Sequence, residues 1–309
     1  MKKALVILSL IIASASVARA QFTVPDEGVS TVVMNFLAAP RDPGALGMGA
    51  TGALGRSAAF ATFSNPAYIP FSTEAVSIGA SCGLWQPGMA ASTADCSFGF
   101  SYNNAGKTGL GFCFATDPQR VKTVPSNEIG TRNTGPQPST MMVGGSFAYR
   151  PLKCLSIGAN ARYANQSLVG YDLNAFVADA YILFSMKGML ATAGVSNVGS
   201  FFDGDYRIPS SAVAAIGYEH DFGRHGIMAC TQYEHYFYGA DRISVGARYS
   251  YGGIVDLRAG YNAGGGSPLD DFTSLGLGLH FGHIGLDAAY LVSDGALGGT
   301  VCFGLNIKF

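Results

Sequence analysis

The sequence predicts an all-β protein, a 14-stranded antiparallel transmembrane β-barrel with an N-terminal lumen plug. Three observations lead there. The first is alternation. In residues 300–309, Val301, Phe303, Leu305, Ile307 and Phe309 share one face of a strand, and Cys302, Gly304, Asn306 and Lys308 share the other. One greasy face at period two is what a half-buried strand needs, and the pattern recurs over more than two hundred residues without an intervening helical stretch. The second is composition. The chain is 48% hydrophobic, only 13% charged, and holds 42 glycines in 309 residues, roughly twice the usual glycine share of about 7%. Past residue 20 no stretch is long and apolar enough for a membrane helix, so such a chain enters a bilayer only by closing a sheet on itself. The third is a secretory start.

That start comprises basic Lys2 and Lys3, an apolar run over residues 4–13, and Ala18-Arg19-Ala20 ahead of Gln21. It has the form of a cleavable signal peptide over residues 1–20, and its apolar run is shorter than the roughly 20 residues of a spanning helix. Without Lys2, Lys3 and Arg19, the 19 basic residues fall to 16 against 20 acidic ones. A mildly acidic chain of this kind does not suit nucleic acid.

Residues 21–72 do not alternate. Too long for a leader and too short for a domain, they are expected to fold into the lumen. Here lie Asn35-Phe36-Leu37-Ala38-Ala39-Pro40-Arg41-Asp42-Pro43-Gly44-Ala45-Leu46-Gly47-Met48-Gly49-Ala50 and Ser64-Asn65-Pro66-Ala67-Tyr68-Ile69-Pro70-Phe71. Glycines such as Gly47 and Gly49 permit close backbone approach. Asn65-Pro66 reads as a turn, because proline pushes its predecessor out of the helical region. The glycines form no phosphate loop, since G-x-x-x-x-G-K-[ST] is absent.

The barrel is expected over residues 73–309, with strands at 74–85, 91–103, 107–116, 140–150, 153–166, 171–186, 189–198, 210–221, 225–238, 242–251, 254–262, 272–281, 283–293 and 297–309. Segments of about ten residues between turn residues are the barrel signature. Long connections at 117–139, 199–209 and 263–271 all fall on odd-numbered links, whereas even links are tight. Barrels of this class keep short turns in the periplasm, so both termini are expected there, in an outer membrane. Parity then sets the faces. Ile243, Val245, Ala247, Tyr249 and Tyr251 point to lipid, and Arg162, Asp179, Glu234, Arg248, Asp256, Arg258 and Asp287 point to the lumen. An arginine facing the bilayer midplane would cost about 2–4 kcal/mol. Inside, opposite charges are expected to pair and fill a plugged barrel rather than line a polar permeation path.

The six cysteines are scattered singly, without metal-ligand spacing. Cys82 and Cys96 lie symmetrically about Met89 on the apolar face, so a cross-strand disulfide is open on spacing and decided by geometry.

The strings F-L-x-x-x-x-D, G-M-G and N-P-A ahead of a fourteen-strand barrel resemble the PorV/PorQ family of Bacteroidetes outer-membrane proteins, within the FadL-like barrel superfamily. Asp42, Gly47, Met48, Gly49, Asn65 and Pro66 carry the likeness, closer to the PorV side. Later blocks agree, among them Ala178-Asp179-Ala180-Tyr181 and Leu257-Arg258-Ala259-Gly260-Tyr261-Asn262. Two features depart: the usual arginine after the aspartate is replaced, with Arg41 standing before Asp42, and the outer loops are short. The resemblance implies type IX protein secretion, with secreted cargo proteins and translocon or attachment-complex subunits as partners beside outer-membrane lipid.

Two functions follow. One is a non-enzymatic interaction protein gripping cargo C-terminal signal domains or attachment-complex subunits through extracellular loops. Its candidate contacts are Arg120, Lys122, Glu128 and Arg132 of the 117–139 loop, with Trp85 at the outer end of the first strand. Trp85 also suits a headgroup-belt anchor. The other is a FadL-like transporter of hydrophobic small molecules, which needs an apolar pocket beneath the loops. Against it, the expected lumen is charged and glycine-rich. Catalysis is not expected, because His220, His225, His235, His280 and His283 show no H-x-x-x-H spacing and no nucleophile elbow is present. No cofactor or metal is implied.

Overall fold

In the computed structural model the alternation becomes a closed sheet. The structure describes residues 32–85, 91–121, 139–168, 171–201, 207–264, 269–295 and 297–309. Its strands are β1 (Val76–Trp85), β2 (Ala91–Asn104), β3 (Thr108–Val121), β4 (Ser139–Leu152), β5 (Leu155–Leu168), β6 (Tyr171–Met186) and β7 (Met189–Phe201). There follow β8 (Ser211–Phe222), β9 (His225–Tyr236), β10 (Arg242–Tyr251), β11 (Val255–Ala263), β12 (Phe272–Phe281), β13 (Ile284–Val292) and β14 (Val301–Lys308). Each strand pairs antiparallel with its sequence neighbours, and β1 pairs with β14 from Ser77↔Lys308 to Leu84↔Val301, closing a fourteen-stranded barrel. Closure removes the free edge that a bilayer would not tolerate.

Burial follows parity. Along β1, Ser77, Gly79, Ser81, Gly83 and Trp85 are buried, while Ala80, Cys82 and Leu84 are exposed. Outside stands a continuous apolar band that includes Phe98, Leu110, Phe112, Phe147, Ile157, Phe176, Leu257, Leu275 and Phe303. A surface this greasy matches lipid rather than water.

At the rim that carries the termini the turns are tight. Lys187 and Gly188 have φ of 51° and 83°, and Gly252 and Gly253 have 62° and 68°. Positive φ at both central residues is the type I′ geometry that matches strand twist. The links at the opposite, far rim include the long ones.

Three strand ends differ from expectation by three residues or more. β3 runs to Val121, so the expected 117–139 loop shortens to 122–138 and Asp117 becomes a buried strand residue. Pro118, placed in that loop by the sequence, pairs with Ser139 in the ladder. β14 begins at Val301 rather than 297, because the preceding residues turn back on themselves, with Thr300 N donating to Leu297 O. β7 reaches Phe201 through a bulge, where Ala178↔Val198 is followed by Ala180↔Val195 and Asn197 adopts φ 54°. Asparagine tolerates that left-handed position better than most residues.

Candidate functional site

Residues 33–72 lie against the inward face of the wall, through a series of short helical turns. A four-residue helix, α1 (Pro43–Leu46), starts on Asp42, whose side chain accepts from Gly44 N at 2.9 Å, with Pro43 at its first position. That is a sound N-cap followed by the residue best suited to N1. Asn65 does the same for the 3₁₀ turn Pro66–Phe71, accepting from Ala67 N, while its amide donates to Ala53 O and Thr192 Oγ1.

The wall receives this segment on glycine. Gly246 and Gly260 face each other across β10 and β11. A Cβ on Gly260 would stand 2.1 Å from Gly49 N, and one on Gly246 would stand 2.4 Å from Met48 O. Gly49 itself has φ +72° and donates to Ser274 Oγ at 2.8 Å. The cross-strand pair Gly79 and Gly99 receives Ala59 in the same way, with 2.0 Å from Ala59 O to a Cβ on Gly99. Glycine richness thus serves backbone-to-wall contact.

Ion pairs complete the join. Arg41 is 4% exposed, and both its terminal nitrogens donate to Asp117, at 2.6 and 2.7 Å. It also reaches Asp95 at 3.0 Å and Phe36 O at 3.1 Å. Trp85 Nε1 donates to Asp95 Oδ1 at 3.0 Å. Trp85 is therefore an inward-facing buried residue, neither a headgroup anchor nor a far-rim contact. Its parity matches Ser77 and Ser81, and its indole N–H needs a buried acceptor. Burial alone would lower the Arg41 pKa, but Asp117 and Asp95 outweigh it and the net shift is upward.

The other expected lumen charges also face inward. Arg162 donates to both oxygens of Asp179 (2.7 and 2.6 Å) and to Asn197 Oδ1 (2.9 Å), and Asn160 joins Asp179 to Thr62 O. Arg258 bridges Asp256 and Asp287, with His280 Nε2 3.1 Å from Asp256. Glu234 pairs with Arg242, and Arg248 shares Glu219 with Arg56. Of the expected loop contacts, Arg120 lies on β3, while Lys122, Glu128 and Arg132 fall outside the described residues. Sequence reasoning missed Arg41, Asp95, Asp117 and Arg242. Among the described residues no His, Cys, Asp and Glu group is arranged to hold a metal ion.

The lumen is not only charged. In the far half, Ala115, Met142, Ala164, Leu173, Ala175 and Val177 of β3–β6 form an inward apolar wall with Ile208, covered by Val33, Met34, Phe36, Leu37 and Phe63. The expected charged and glycine-rich lumen thus also holds an apolar group that the expectation did not include. A second apolar group joins Leu46 and Ala50 to Trp85, Phe272, Leu291 and Leu297. An open space of about 370 Å³ adjoins this second group at the far rim, lined by Tyr261, Asp270, Phe272 and Ser293 among others. A polar, half-open cavity of about 320 Å³ at the terminal rim is lined by Asp42, Arg56, Glu74, Arg248, Asp256 and Lys308, among others.

Asp42 borders that cavity. Burial, with the Asp287 charge adding and Arg258 opposing, pushes its pKa from 3.8 up to about 6. A carboxyl whose folded pKa is raised contributes stability that is present below the unfolded value and lost as pH rises through the folded one. Asp42→Asn keeps the capping oxygen and removes the titration. Wild type is therefore expected to lose thermal stability relative to the variant between about pH 4 and pH 7, read as the difference between their unfolding curves; a pH-independent difference would refute it.

No protein-family model matches the sequence, and no curated protein matches it. Solved structures do. The Pseudomonas putida toluene transporter TodX superposes with a TM-score of 0.61 at 12% identity, covering 92% of this chain and 99% of its own. The Ralstonia pickettii toluene transporter TbuX gives 0.60 at 12% identity, covering 86% of this chain and 98% of its own. A Pseudomonas aeruginosa FadL homologue gives 0.55 at 11% identity, covering 88% and 99%. The fold is that of the FadL-like outer-membrane barrels. At these identities the likeness is one of architecture, and this chain's own lumen holds an apolar far half covered by residues 33–37.

Proposed function

We propose that this barrel passes small hydrophobic molecules across the outer membrane, with residues 33–72 as a lumen plug and both termini in the periplasm. The observation that carries the reading is the inward apolar wall of Met142, Leu173, Ala175 and Val177, covered by Met34, Phe36 and Leu37 of the plug. A water-filled pore would have no use for it. An apolar guest replacing the plug side chains would regain about 25 cal/mol per Å² of buried apolar surface. The likeness to toluene transporters supports the same class of cargo. The tight turns at the terminal rim support the orientation.

The test is uptake by lipopolysaccharide-bearing cells. Cells carrying the barrel are expected to take up labelled toluene or a labelled acyl chain faster than cells lacking it. Leu173→Glu, confirmed as a folded barrel, is expected to abolish most of the gain. Equal uptake with and without the barrel would overturn the proposal.

A second reading rests on the strings at residues 36–49 and 64–71. By their likeness to PorV/PorQ barrels, the chain would bind cargo signal domains or attachment-complex subunits in type IX secretion, through Arg120, Lys122, Glu128 and Arg132. Within the fold those strings already serve as caps and wall contacts of the plug, which accounts for them without a partner. Affinity capture from gently solubilised outer membranes separates the two. Co-recovery of secreted proteins sharing a C-terminal domain favours the second reading, and a barrel recovered alone with lipid or hydrocarbon favours the first.

A further inference from the structure

We propose that Cys82 and Cys96 become a disulfide in the mature protein, stapling β1 to β2 beside the seam where β1 closes on β14. The two residues are direct register partners, with their sulfurs 3.2 Å apart and both thiols free. Directly opposed residues of an antiparallel pair have Cα atoms about 4.5 or 5.5 Å apart, and both values lie inside the roughly 4.4–6.8 Å that a disulfide spans. Both side chains point outward, so no lumen contact must yield when the sulfurs close. No other cysteine competes. Cys113, Cys230 and Cys302 are buried, and Cys154 lies in the turn between β4 and β5.

A barrel bound for the outer membrane passes through an oxidising compartment before it inserts. There the oxidant is a protein disulfide of a thiol oxidase. The Cys82 thiolate attacks one sulfur of that disulfide and forms a mixed disulfide. The Cys96 thiolate then attacks Cys82 Sγ, and the oxidase leaves as a dithiol carrying the two electrons and two protons. Inserted, the bond lies in lipid, away from soluble reductants. Asp95 adjoins Cys96 and accepts from Trp85 on β1, so the staple also fixes the hairpin that presents Asp95 to Arg41.

The test uses the full-length protein in its own outer membrane. Cells are quenched in acid, the protein is unfolded, free thiols are alkylated, and peptides are mapped by mass spectrometry without reduction. The expected result is a peptide pair joined through Cys82 and Cys96 that separates on reduction, with the other four cysteines alkylated. Unreduced barrel should also resist heat unfolding in detergent to a higher temperature than reduced barrel, and Cys82→Ser should unfold like the reduced form whether or not reductant is added. Alkyl groups on both Cys82 and Cys96 in most of the quenched protein would overturn the proposal.

Discussion

Arg41→Ala is expected to release the plug and open the barrel to ions. Among the described residues of 33–72, Arg41 is the one side chain that pairs with both Asp95 and Asp117, and all three are buried. Truncating it leaves two carboxylates facing each other without a cation. Removing one partner of a buried ion pair costs about 3–5 kcal/mol, a large loss for a docking whose other ties are hydrogen bonds such as Gly49 to Ser274 and Asn65 to Thr192 and the apolar contacts of Met34, Phe36 and Leu37. The backbone ladder of the wall does not depend on Arg41, because each strand pairs with its two neighbours around a closed ring. The barrel should therefore remain closed and resistant to unfolding in detergent. Conductance in a planar bilayer should rise from near zero to discrete openings, and residues near α1 should become sensitive to protease. A triple variant with Arg41→Met, Asp95→Asn and Asp117→Asn removes the uncompensated charge and is expected to recover most of the seal. Unchanged conductance together with an unchanged proteolysis pattern in Arg41→Ala would show that the ion cluster does not hold the plug.

That cluster shows where the sequence was legible and where it was not. Lipid outside and protein inside impose period two, so strand number and the inward placement of Arg162, Asp179 and Asp287 could be read from alternation alone. Arg41 meets Asp95 and Asp117 at separations of 54 and 76 residues, and no local pattern records such a pairing. Trp85 was readable in principle. The parity that turns Cys82 and Leu84 outward already turns it inward, but an aromatic at a strand end also suits a headgroup belt. The apolar far half was hidden for another reason. Where both faces of a strand are greasy, as with Phe176 beside Val177 or Ile182 beside Leu183, alternation loses its contrast. There the face had to be read from Asp179 on the same strand, whose parity Val177 and Leu183 share; the structure buries both and exposes Phe176 and Ile182. Glycine gave half its meaning away. Its abundance pointed to close approach, but only the register shows Gly246 opposite Gly260, under Met48 and Gly49.

Gly260→Val turns that register into the second large effect. The first side-chain carbon would fall 2.1 Å from Gly49 N and 2.2 Å from Met48 C. Both are backbone atoms, so no rotamer change relieves the clash. Overpacking of a well-packed core costs about 1–3 kcal/mol, occasionally more, and backbone atoms on both sides place this substitution at the upper end of that range. Gly49 cannot retreat sideways, since its own Cβ position already lies 2.6 Å from Val245 O. The sheet loses nothing, because valine suits a strand better than glycine does. The cost should fall on plug docking alone: unchanged β-sheet circular dichroism, unchanged resistance of the barrel to detergent and heat, raised conductance, and cleavage near α1. Gly145→Val is the matched control, as a Cβ there meets only Gly111 O at 3.5 Å. The two opened variants then bear on transport itself. If the plug occupies the path of an apolar cargo, Gly260→Val and Arg41→Ala should both admit labelled hydrocarbon faster than wild type, although they disturb opposite sides of the barrel. Raised ion conductance with unaltered hydrocarbon uptake in both would separate the plug from the cargo path and count against the transport reading.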